Sequence, residues 1–116
     1  AGGVCTAVDR FVNLIDHTEG VYLRQLPPWT TLLVRTTNSL YRVLVTDCSN
    51  VYVQGGAFFP YLTAAHLDGA SLGGSALKVG WIGVGLLMEF QIGGRLIVTS
   101  PVRAITTEQA SSLIVH

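Results

Sequence analysis

The sequence predicts a mainly β domain, a small and strongly bent barrel of five or six strands opened by a short helix, and three observations carry that expectation. Near Thr30 the apolar spacing changes from a period of about 3.6 residues to one of about 2. Turn-forming clusters then recur at short intervals, at Asn38-Ser39, Asp47-Cys48-Ser49-Asn50, Gly55-Gly56 and Gly93-Gly94. Within "GWIGVGLLMEF", glycines 80, 83 and 85 interrupt an alternating apolar run and give a long strand room to bend. At 116 residues the chain has the length of one domain with one core.

Val4, Val8, Phe11, Val12 and Ile15 fall at helical spacing, with Asp9, Arg10 and Asn13 opposite, so a helix is expected over about residues 4–16, ending by Gly20. Pro27-Pro28 forces an extended break before the barrel, which is expected over about residues 30–107. Thr31 to Thr37 and Leu40 to Thr46 alternate as two strands of a hairpin, with Leu32, Val34, Tyr41, Val43 and Val45 on the core face. Val51 to Gln54 forms a third strand. Ala57 to Ser75 shows no clear period and reads as a long loop with a helical turn at Tyr61 to Leu67. Alternation returns from Ala76 to Phe90, then from Arg95 to Ser100 and Val102 to Thr107. Pro101, lacking a backbone donor, places its strand at an edge or breaks it in two. Residues 108–116 form a tail.

The composition is 49% hydrophobic and only 12% charged, against about 25% charged in an average soluble domain. That excess of apolar surface favours burial against copies of the same chain. No run approaches the ~18 apolar residues of a membrane helix, and no membrane partner is expected. Seven basic and seven acidic residues cancel, so the overall field draws in neither nucleic acid nor an anionic membrane. Cys5 and Cys48 are too few for a disulfide scaffold, lack metal-site spacing and read as free thiols. Ala1-Gly2-Gly3 has neither a basic start nor an apolar stretch after it, which makes the cytoplasm the default location.

Counting in twos, Ile82, Val84, Leu86, Met88 and Phe90 share the core face of the glycine strand, leaving Trp81, Gly83, Gly85, Leu87 and Glu89 on the other. The bare backbone either serves the bend or receives a close neighbour: Trp81 from beside it, the Phe58-Phe59 segment, or another subunit. A two-residue turn at Asn38-Ser39 sets Arg35 opposite Arg42, with Leu33 opposite Leu44 beside them. The arginines then either fan into water or grip an acidic partner, such as Glu89 or Asp68 of a neighbouring copy. The candidate interface or ligand residues are therefore Arg35, Arg42, Trp81, Gly83, Gly85, Leu87, Phe58 and Phe59.

Catalytic chemistry has little to stand on. His66-Leu67-Asp68 and Asp16-His17-Thr18-Glu19 are the compact acid/base groupings, without HExxH, CxxC or paired Cys/His spacing. "GASLGGSALK" has glycines before a lysine but opens into a strand, where no helix N-terminus would receive a phosphate. No cofactor or metal is implied. Trp29, Tyr41, Tyr52 and Trp81 are stacking groups for single-stranded nucleic acid, without the net positive charge that mechanism uses.

The element order, with "VQGGAFFP", "LGGSALKVGWIGVGLLMEF" and "VTSPVRAI", resembles uncharacterised bacterial small β-barrel proteins of the Sm-like or SH3-like kind, over roughly residues 4–107. The resemblance implies a homo-oligomer built by strand-edge pairing, with RNA binding as one family activity. Gln54-Gly55-Gly56 stands where that activity would need a basic residue before glycine. The expectation is a non-enzymatic, homo-oligomeric interaction or scaffold module; the alternatives are a small-molecule-binding β-barrel, with the Phe58 to Leu72 loop as a lid, and an Sm-like single-stranded RNA binder.

Overall fold

Strand formation begins in earnest at Thr31, where β-branched and apolar residues alternate. A computed structural model describes residues 19–74 and 76–108. The expected helix over 4–16 and the tail after Glu108 lie outside the described residues. Along the described chain run β1 (Gly20–Tyr22), a 3-10 turn (Leu23–Gln25), β2 (Thr31–Thr36), β3 (Leu40–Asp47), β4 (Asn50–Gly55), β5 (Phe59–Ser71), β6 (Leu77–Val79), β7 (Trp81–Gly83), β8 (Leu87–Ile92) and β9 (Arg95–Glu108). The molecule is mainly β, as expected.

Six strands close on themselves: β2 pairs with β3, β3 with β4, β4 with β5, β5 with β8, β8 with β9, and β9 with β2. All these pairs are antiparallel. β6 adds to β5, and β1 with β7 forms a separate two-stranded ribbon. Closure pairs β2, β3, β4 and β8 on both sides, whereas within the described residues the first half of β5 and both halves of β9 are paired on one side only, so free edges belong to those stretches as well as to β6, β1 and β7.

Two long strands make closure possible. β5 pairs with β4 from Phe59 to His66 and with β8 from His66 to Ser71, its register slipping between Leu67 and Gly69. β9 pairs with β8 from Arg95 to Pro101 and with β2 from Val102 to Glu108. Each half thus serves a different wall. The first wall comprises β2, β3, β4 and the flanking halves of β5 and β9; the second comprises β6, β8 and the other halves. Between them lies one core, with Leu32, Val34, Val43 and Val53 from the first wall and Leu67, Met88, Phe90 and Ile97 from the second. Phe59 meets Phe90 edge-on, ring centroids 5.5 Å apart, and Tyr41 meets Phe59 at 6.5 Å. Leu23, fully buried, joins the same core from the 3-10 turn.

Several expectations change. The hairpin turn sits at Thr37-Asn38, with the Thr36 N–H donating to the Ser39 carbonyl at 2.8 Å. Arg35 therefore faces Leu40, and Arg42 faces Leu33. The buried Thr36 hydroxyl makes the difference, because Oγ1 accepts the Ser39 N–H at 3.1 Å and holds the turn there. The period-2 pattern survives a slip of two residues, so the expected core face of this hairpin is correct although its pairs are not.

The segment read as a loop with a helical turn is β5, and its apolar Tyr61 and Leu62 are exposed, which erased the alternation. The long glycine strand is three short strands, β6, β7 and β8, because Gly80 (φ 68°) and Gly85 (φ 89°) turn the chain. Pro101 neither ends nor borders the sheet. It lies inside β9 where the registers with both β2 and β8 shift, a place where its missing N–H breaks no regular ladder. Cys48 is disulfide-bonded, against the free thiols expected; cysteine count and spacing carry no information on which side chains meet in space. The chain's other cysteine, Cys5, lies outside the described residues. No helix among the described residues is long and apolar enough to cross a membrane.

Candidate functional site

Glycine in the β7 ribbon has a local cause. Gly83 pairs with Gly20 of β1, and a side-chain carbon added at either position would run into the Trp81 indole. The ring thus covers a pair of bare backbones, and Trp81 is only 9% exposed. The Lys78 ammonium stands 4.1 Å from the indole and 5.1 Å from the Tyr22 ring, while Tyr22 meets Trp81 edge-on at 4.7 Å. Arg24 lies over the same tyrosine at 4.2 Å. Of the three neighbours expected for the bare backbone, Trp81 is the one that occupies it.

This placement removes several candidates from any free surface. Trp81 and Gly83 are buried, and Phe59 is in the core. Leu87 is half-buried between Ser71 and Pro101. Phe58 stays exposed on the β4–β5 connection, and Gly85 is exposed at its turn.

Arg35 and Arg42 remain outside, on the first wall. Arg35 lies between Leu40 and Ala104, and Arg42 between Leu33 and Gln54. Instead of opposing each other they are offset along the wall, which relieves the repulsion expected of a direct pair. Arg42 Nε lies 3.4 Å from Glu108 Oε1 in a half-exposed ion pair. Nearby, Arg103 Nε donates to Thr37 Oγ1 at 3.0 Å. Exposed Leu40, Tyr52 and Leu62 give the same wall an apolar outer surface.

Acidic groups gather on the second wall. Glu89 accepts a 2.5 Å hydrogen bond from the fully buried Ser71 hydroxyl, which also accepts the Gly73 N–H. Asp68 lies 2.9 Å from His66 Nδ1 and accepts the Gln91 amide at 3.1 Å. Leu96 and Val98 are exposed beside them, directly across from Gln91 and Glu89. His66 and Asp68 stand as a base and its orienting carboxylate would, yet among the described residues His66 is hydrogen-bonded to no nucleophile. Nor does any group of three His, Cys, Asp or Glu among the described residues converge to hold a metal.

The lid expected between Phe58 and Leu72 is β5 itself. A hollow of about 180 Å³ is lined by Glu19, Gly20, Val21 and Ile105, smaller than the ~300–1,000 Å³ typical of ligand pockets. Leu96 and Val98, like Leu40, Tyr52 and Leu62, are outer-surface residues absent from the sequence-derived candidates. Their alternation with Ile97 and Thr99 in "RLIVTS" was the available signal. Compared with known proteins, the chain matches no family model, no curated protein and no solved structure.

Proposed function

We propose that this chain is a non-enzymatic interaction module, a small barrel that assembles with copies of itself through the outer faces of its walls. One observation carries the reading: large apolar side chains stand exposed on both walls, Leu40 and Leu96 at 58% and 53% among them. Scattered singly such residues are ordinary, but Leu96 and Val98 stand two residues apart on one face of β9, and Tyr52 lies between the apolar Leu44 and Ala64 of its neighbouring strands. Edge-to-edge pairing, which the resemblance to Sm-like and SH3-like barrels suggested, has among the described residues the short β6, β1 and β7 edges and the half-paired stretches of β5 and β9 available. The apolar residues exposed on the wall faces favour face contact over edge contact.

The cytoplasm was the expected location. A bonded Cys48 favours an oxidising compartment instead, since cytosolic thiols are kept reduced. Light scattering at micromolar concentration tests the assembly. A mass that is a multiple of 12.4 kDa supports it, and one copy per particle at every concentration rejects it.

A further inference from the structure

The two walls differ in charge as well as position. Arg35, Arg42 and Arg103 stand on the outer face of the first, against Glu108, which is already paired with Arg42, and Asp47 at the β3–β4 turn. Asp68 and Glu89 stand on the second, held in place by hydrogen bonds from the Gln91 amide and the Ser71 hydroxyl. His66 beside Asp68, Arg95 at the β8–β9 turn and Lys78, buried on β6 against Trp81 and Tyr22, are the basic groups among the described residues on that side. Each charged set adjoins exposed apolar residues: Leu40 beside Arg35, and Val98 beside Glu89. Because both walls enclose the same core, their outer faces point away from each other, and one copy cannot bring the arginines of its first wall to Asp68 and Glu89 of its second.

Resting on the self-association proposed above, we infer that the basic wall of one copy docks on the acidic wall of the next. The contact is heterologous, two different patches meeting. Pairing the first wall with itself would press arginine on arginine, and pairing the second with itself would press carboxylate on carboxylate, so the symmetric alternatives are disfavoured by repulsion. A heterologous contact repeats from copy to copy until a closed ring or an open filament results. Guanidinium against carboxylate supplies direction, and the adjoining leucine and valine side chains supply buried area.

Two substitutions on exposed side chains test this in the full-length chain. Arg35→Glu reverses a charge that forms no ion pair among the described residues, and Val98→Lys sets a cation on the acidic wall without replacing either partner of the Ser71–Glu89 bond. Each alone is expected to weaken association, measured by sedimentation velocity, on the order of tenfold or more. A 1:1 mixture should regain association, because the Val98→Lys copy keeps an intact basic wall and the Arg35→Glu copy an intact acidic one. Circular dichroism and melting confirm folding, with Arg35→Gln and Glu89→Gln as milder replacements if either variant misfolds. Wild-type-like assembly of either variant overturns the heterologous contact, as does a mixture no stronger than its parts. A wild-type chain found only as single copies overturns the self-association itself, so the two failures are told apart.

Discussion

At Gly83 a hydrogen atom stands where any other residue would push a carbon into the Trp81 indole. Gly83→Ala is therefore expected to cost about 1–3 kcal/mol, the range for overpacking a filled site. Gly20→Ala should cost more, since its added carbon also meets the Ile82 carbonyl, and backbone moves less easily than a side chain. Thermal melts of the two variants check the order. Tyr41 adds a pH dependence. Burial pushes its phenol above the ordinary range, and the hydrogen bond with Ser39 only partly opposes that. Below about pH 10 both the folded and unfolded chains keep the proton, and the group leaves stability unchanged. As pH rises further the unfolded chain releases it first, so stability falls until the folded phenol also ionises. Tyr41→Phe should flatten that alkaline decline in melts taken above pH ~10. For Cys48, thiol titration of the unreduced, denatured protein should find no free Cys48, and reduction should release it.

Strand β5 shows at the level of elements how a chain turns a corner. At Gly69 (φ 151°) an added side chain would strike the Lys78 carbonyl, in the stretch where β5 is flanked by β6 and β8. Gly74 has open space around it. Gly69→Ala should then lower the melting temperature by several degrees, while Gly74→Ala stays within the ~0.5 kcal/mol of an ordinary surface change. What was legible in the sequence follows from the same geometry. Leu32, Val34, Val43, Val45, Val51 and Val53 alternate with outward residues, so β2, β3 and β4 could be read directly. Their pairing could not, because a slip of two residues leaves every side chain on its own face and the choice rests on the Thr36 hydroxyl. β5 escaped because Leu62 and Ala64 are apolar and point outward. The glycine run looked like one strand because apolar residues continue through both turns. Of the site, Arg35 and Arg42 were found as outward-facing residues. Trp81, Gly83 and Phe59 were misplaced because alternation alone cannot show what a ring packs against.

On the scale of the whole molecule, a neutral chain sets Arg35, Arg42 and Arg103 outside one wall and Asp68 and Glu89 outside the other, each group with some charge of the opposite sign near it. Net charge conceals this, since seven of each sign cancel whatever their arrangement. If guanidinium and carboxylate meet across copies, association should weaken as salt screens them, whereas a purely apolar contact would hold or strengthen. Sedimentation equilibrium of the intact chain at low and then high ionic strength separates the two. Charge pairing between copies gives two or more times 12.4 kDa at low salt, declining toward 12.4 kDa as salt is added. A particle of 12.4 kDa at low salt, unchanged by concentration, would contradict it.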